Sequence, residues 1–334
     1  MSTHGHQAIG GYFASERGAG SGLEALRGAA RYQSARSAIV ALFRAVGATV
    51  AWVPHHVCGA VIDALDAVAV EVRRYHLTDT RGVPDDLPLG PLDWLVCIDY
   101  FGMSGNSCTA AVARHGGHRI LIDASQALFH PPGSDVSTVY SPRKFVGVPD
   151  GGLLVTPHRL PLADPADEAG SIERGRYLST RAAGDVAAGY QQFQQAEATL
   201  ADCTPRGMSA STAGMLSIID FDRVRRQRRA NFTSLAAMLH SRGFVVPELP
   251  RDAVPLCCPV FGVEAPDLRR ALASRAIFAP AYWPDAVPPS HDTVGLALRD
   301  RTLYLPCDHR YGEAHMEHVV DALLEIGKQH EHRR

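Results

Sequence analysis

Lysine is almost missing from this chain. Of its 33 basic residues only Lys144 and Lys328 are lysine, and the rest are arginine. Arginine therefore serves wherever positive charge alone is needed. It cannot stand in for a nucleophilic amine, because its guanidinium stays protonated. Lys328 falls in a polar C-terminal tail, whereas Lys144 is internal and flanked by apolar segments.

Other absences narrow the field. Net charge is only -2, so no basic field points to nucleic acid or to an anionic membrane surface. No apolar run approaches the roughly 20 residues that would span a bilayer. Met1 to Gly11 lacks an apolar stretch of the kind that directs secretion. The seven cysteines are odd in number and contain no C-x-x-C pair, which points to a reducing cytoplasm. What remains is an ordinary globular composition, 46% hydrophobic and 20% charged, as a soluble enzyme of a small-molecule substrate would have.

The apolar pattern then gives the fold class. A helical period over 34–46 puts Ile39, Leu42, Phe43 and Val46 on one face. Strand-like runs follow at 49–53, 68–75, 94–98, 118–122, 136–140 and 152–155, with helical stretches at 57–67 and 109–115 between them. Apolar strands alternating with helices predict an α/β fold, a mostly parallel sheet covered on both faces. Ligands of such sheets sit beyond the carboxyl ends of the strands, where Asp99 and Asp123 fall. Residues 157–205 read as helices. The basic run Arg223 to Arg229 reads as the solvated or interface face of a helix, and 245–326 as a smaller α+β lobe.

Three features within forty residues suit one cofactor. Asp123, at a buried strand end in Ile-Asp-Ala-Ser-Gln, could keep a pyridinium nitrogen protonated. Lys144 offers the amine, and Ser141 in Ser-Pro-Arg-Lys offers a hydroxyl to a phosphate. Gly151 and Gly152 let the backbone approach closely. Ser34 opens the first long helix, whose N-terminus could hold a phosphate or merely be capped. Arg310, Tyr282 and Trp283 could line a substrate pocket or serve packing. His315 and His318 lie one helical turn apart on a polar face, and no metal is expected there.

Asp123-Ala-Ser-Gln126, Ser141-Pro-Arg-Lys144 and Gly151-Gly152 together resemble the DegT/DnrJ/EryC1/StrS aminotransferases, enzymes of fold type I that use pyridoxal 5'-phosphate. The likeness runs over most of the chain, through Tyr32 to Ala38, Val53-Pro54, Tyr100-Phe-Gly102, Arg228 to Asn231 and Leu303 to Pro306. It implies a seven-stranded, mostly parallel sheet in a large domain over 1–205, and a small α+β C-terminal domain over 206–334. Lys144 would form the Schiff base and move the proton in catalysis, Asp123 would pair with the ring nitrogen, and Gln126 would approach the ring oxygen. Ser141 and the backbone at Ala35 and Arg36 would hold the phosphate. The expected reaction is ping-pong transfer from glutamate to a keto substrate, such as a nucleotide-linked keto sugar, in a homodimer with shared active sites. Alternatives on the same fold are a non-sugar substrate, an elimination, or a silent binding relative. Many members place an aromatic ring four residues after the proline. That ring lies over the cofactor; Cys58 occupies the position here, Cys58 and His56 are expected cofactor contacts, and either His55 or His56 could stack on the ring.

Overall fold

The computed structural model describes residues 8–16 and 18–331, with the side chains of 330 and 331 excepted. His4, His6 and His332 lie outside the described residues. The strands are β1 (Ile9–Gly10), β2 (Ala30–Tyr32), β3 (Val50–Pro54), β4 (Glu71–Tyr75), β5 (Trp94–Ile98), β6 (Ile120–Ala124), β7 (Ser137–Tyr140), β8 (Gly152–Val155), β9 (Cys258–Phe261), β10 (Ile277–Phe278) and β11 (Thr302–Leu305). The first helices are α1 (Ala35–Val46), α2 (Gly59–Asp66), α3 (Gly105–His115), α4 (Glu168–Arg174), α5 (Arg176–Ala182) and α6 (Val186–Thr199). They are followed by α7 (Ala210–Ile218), α8 (Phe221–His240), α9 (Ala265–Ala273), α10 (Thr293–Asp300) and α11 (Glu313–Glu331).

Seven strands form the central sheet in the order β2-β8-β7-β6-β5-β3-β4. From β7 to β4 the pairing is parallel; β8 runs antiparallel to β7, and β2 antiparallel to β8. This is the α/β arrangement expected from the apolar runs. β5 and β6 are buried at every position, as strands covered on both faces must be. β2 escaped prediction because Ala-Arg-Tyr has neither length nor alternation; it exists by pairing with the glycine-led β8. Six consecutive apolar residues of α1, Ala38 to Phe43, are buried against the sheet.

The C-terminal part builds a second, two-stranded sheet of β9 and β11, antiparallel, packed by α8, α9 and α11. β1 pairs in parallel with β10, so the start of the chain closes onto its C-terminal part. Among the described residues no helix is long and apolar enough to cross a membrane.

Candidate active site

The parallel strands end together at one edge, and β6 brings Asp123 there, in register with Ile98 of β5 and Val139 of β7. Asp123 is buried, and its Oδ1 accepts the Ser125 amide at 2.8 Å. Gln126 turns its Oε1 to the Phe101 amide at 3.0 Å. Its Nε2 is buried with no partner among the described residues. A buried amide donor without an acceptor costs on the order of 1–3 kcal/mol, so Gln126 has a donor to offer a ligand. Asp99, at the end of β5, is differently employed. Its Oδ1 accepts the Ser104 amide at 2.7 Å and its Oδ2 meets His130 Nδ1 at 2.8 Å, which fixes the loop before α3.

Beyond β7 the chain makes a single tight turn. Lys144 N donates to Ser141 O at 3.2 Å and Phe145 N to Pro142 O at 2.8 Å. Ser-x-x-Lys thus places hydroxyl and amine on one turn. Beneath it lies Arg228 from α8, fully buried, with its guanidinium 4.6 Å from the Phe145 ring. It donates to Phe145 O at 3.1 Å and to Leu256 O at 3.2 Å, tying the lysine turn to the C-terminal part. The basic run therefore divides. Arg223, Arg225 and Arg226 are exposed as expected, and Arg228 is a core residue. Its spacing from Phe221 and Val224, and onward to Phe232 and Leu235, is the signal in the sequence that marks its face as buried.

At the start of α1, Ser34 Oγ accepts the Ser37 amide at 3.1 Å, so this serine is a helix cap. The amides of Ala35 and Arg36 fall in the first turn, where no intrahelical carbonyl can reach them. The Arg36 guanidinium turns away, to Leu200 O and to Asp63 at 3.1 Å, which leaves only its backbone for a phosphate. Gly151 explains the glycine pair: it has φ +127° and donates to Gln33 O at 2.6 Å. A Cβ on Gly152 would strike the Ser34 and Ala35 main chain. Only glycine lets the β7–β8 connection close on the helix start.

A cavity of about 1060 Å³ opens beside the lysine turn, and Asp123, Gln126, Ala35 and Arg36 lie outside its lining. Cys58, Ser141 and Lys144 line it, with Arg143, Tyr177 and Trp283 among the other walls. Cys58 is the N-cap residue of α2. His56 is not in the lining. It is fully buried, its ring 6.1 Å from that of Tyr100 and nearly parallel to it, and Tyr100 Oη donates to His56 O at 2.5 Å. Burial, with Arg299 adding to it, pushes the His56 imidazole down to about 4, so it is neutral near pH 7. His55 lies half-buried, its ring 6.2 Å from His291.

Arg310 proves structural. It pairs with Asp308, its Nε 2.7 Å from Oδ1, and donates to Tyr12 O at 2.8 Å, fastening the N-terminal segment. Burial alone would raise the Asp308 carboxyl; Arg310 overcomes this and holds it at about 2. In the glycine-rich stretch 18–22, Gly18 and Gly20 pack closely on the backbone of 218–220, a structural use of those glycines. His315 Nδ1 accepts the Gly312 amide at 3.4 Å, and no group of metal-ligating side chains occurs among the described residues.

Comparison of the whole structure with solved proteins places this architecture. The chain shares its fold with sugar aminotransferases. A DegT DnrJ EryC1 StrS aminotransferase from Brucella abortus is 17% identical, with a TM-score of 0.61 over 89% of this chain and 85% of that one. DesV of S. venezuelae, solved in complex with a ketimine intermediate, is 19% identical, with a TM-score of 0.59 over 89% and 84%. The putative sugar aminotransferase Spr1654 from Streptococcus pneumoniae, in its PLP-form, is 13% identical, with a TM-score of 0.63 over 96% and 93%. No family model matches the sequence, and neither does any curated protein. The likeness is therefore one of fold, and it includes the mostly parallel seven-stranded sheet.

Proposed function

We propose that this protein is a pyridoxal-phosphate aminotransferase in which Lys144 holds the cofactor. The observation that carries the reading is convergence. Lys144 and Ser141 share one turn and one cavity with Cys58, and Asp123 ends the strand beside that turn. Residues of this chain fit each part of the cofactor. The α1 start, closed by Gly151 and Gly152, suits the phosphate. Asp123 has only Oδ1 committed, leaving Oδ2 for a ring nitrogen. Gln126 has a buried donor still unused. Bound there, pyridoxal phosphate supplies an electron-withdrawing pyridinium ring.

Asp123, buried, would hold the ring nitrogen in its protonated form, since an opposite charge is worth most away from water. Lys144 would hold the cofactor and, as a free amine, would be the base that moves the substrate Cα proton. Its turn is held by Arg228 through the carbonyl of Phe145, so the amine keeps its reach. We assign glutamate as donor, ping-pong kinetics, and a nucleotide-linked keto sugar as acceptor. The sugar acceptor is supported by a structural neighbour, the putative sugar aminotransferase Spr1654 in its PLP-form. A second copy of the chain would close the cavity, where Tyr190, half exposed, lines the mouth. All seven cysteines are free, in keeping with a reducing cytoplasm.

The test is spectroscopic. Purified protein given pyridoxal phosphate should show the visible absorbance of a lysine-bound cofactor, and L-glutamate alone should shift it and release one equivalent of 2-oxoglutarate. No band after cofactor addition, together with Lys144→Ala behaving as wild type, would refute the assignment. A band that no amino acid shifts would leave cofactor binding standing and remove transamination.

A further inference from the structure

The cavity over Lys144 has a small side chain on one wall. Cys58 begins α2 there, and a thiol presents little flat surface to an aromatic ligand. From the C-terminal part a single indole reaches the same cavity, that of Trp283. Its backbone is unusual. Trp283 has φ +51°, in the left-handed region, where a bulky residue is out of place. The adjoining turn, in which Ala286 N donates to Trp283 O at 3.0 Å, helps to hold it so.

That conformation sends neighbouring side chains in different directions. Tyr282 packs on core rings, 4.8 Å from Tyr304 and 5.9 Å from Phe101. Trp283 sits 5.1 Å from His56 at an interplanar angle of 51°, and 5.8 Å from Tyr100 at 60°. Both contacts are oblique. Among the described residues no ring lies parallel to the indole, so neither of its faces has a stacked partner. The position is also the right one. His56 lies two residues before Cys58, and Tyr100 precedes Phe101, whose amide donates to Gln126 Oε1.

We propose that Trp283 covers the exposed face of the cofactor ring, supplying from the C-terminal part of the chain the flat surface that Cys58 lacks. The inference rests on the assignment of pyridoxal phosphate to this cavity. An electron-rich indole over a protonated pyridine ring is a favourable pairing, and tryptophan is the strongest side chain for it. The backbone strain at 283 is then offset by the ligand that the indole covers. Trp283 touches the cofactor and positions it; proton transfer remains with Lys144.

The experiment compares cofactor affinity and tryptophan emission in wild type, Trp283→Phe and Trp283→Leu, each stripped of cofactor and titrated with pyridoxal phosphate. Trp283→Leu should bind about tenfold more weakly, the loss of one stacked ring, while Trp283→Phe stays within about threefold of wild type. Cofactor binding should quench most of the emission that Trp283 contributes, and far less of the remaining Trp52 and Trp94 emission in Trp283→Phe. Wild-type affinity in Trp283→Leu, or equal fractional quenching in wild type and Trp283→Phe, would overturn the proposal. Borohydride reduction of the wild-type complex separates the two claims. A pyridoxyl adduct on Lys144 with an indifferent Trp283 leaves the cofactor assignment intact and removes the cover; no adduct at all removes both.

Discussion

The two sides of the cavity are built by different means. Cys58, Ser141 and Lys144 form its floor, backed by short segments of 34–152 that meet through the main chain. These are the capped start of α1, the strand end at Asp123, the turn from Ser141 to Lys144, and the glycines that close on the helix. Its far wall takes residues from the N-terminal segment, from α5 and α6 and from the C-terminal part, and is held by side chains. Arg310 grips Tyr12 O across 298 residues, Arg228 joins α8 to Phe145, and Trp283 leans on His56 and Tyr100. The difference separates chemistry from enclosure. The floor needs particular atoms at particular places, and the wall needs aromatic surface and tethers.

The largest contrast should come from cutting each side at its centre. Lys144→Ala removes the only amine on the floor and should abolish cofactor attachment and reduce transamination by about 10⁴-fold or more, with little change in melting temperature. Arg310→Met should do the reverse. It leaves Asp308 buried without its cation and frees the N-terminal segment, costing about 3 kcal/mol in denaturant unfolding while cofactor attachment to Lys144 persists. A melting temperature that falls as far in Lys144→Ala as in Arg310→Met would erase the distinction.

A pH titration of stability probes the seam between the two sides. His56 is neutral and buried in the folded chain, down at about 4 against 6.5 in the unfolded chain. The unfolded state therefore takes up a proton first as the pH falls. This contribution is complete above 6.5 and is lost progressively toward about 4, amounting to about 2–3 kcal/mol. Denaturant curves at about pH 7 and about pH 4.5 should show that loss in wild type and lack it in His56→Gln. The smallest effect belongs to the helix cap. Ser34→Ala should cost about 1 kcal/mol of stability, and a much larger loss would mean that Ser34 does more than cap α1.

The same division decided how much could be read in advance. The parallel sheet was legible, because buried strands such as Trp94–Ile98 are continuous apolar runs that tolerate little else. So was the shared turn of Ser141 and Lys144, since Ser-x-x-Lys is short enough to close one turn on the cavity. The wall was not. Nothing near Tyr12 in the sequence announces Arg310, and a basic run looks solvated until the helical face of Arg228 is traced. His56 was named with Cys58 as a cofactor contact on adjacency alone. The turn into α2 sends Cys58 to the cavity and His56 under Tyr100. The two-residue β1 carries too little pattern to be seen without its partner β10.

With two lysines in the chain, the central claim reduces to a choice that mass spectrometry can make. Protein reconstituted with pyridoxal phosphate is reduced with borohydride, digested and mapped. The account predicts a stoichiometric pyridoxyl adduct on the peptide containing Lys144, absent from Lys144→Ala. An adduct confined to Lys328, or none on either lysine, would contradict it.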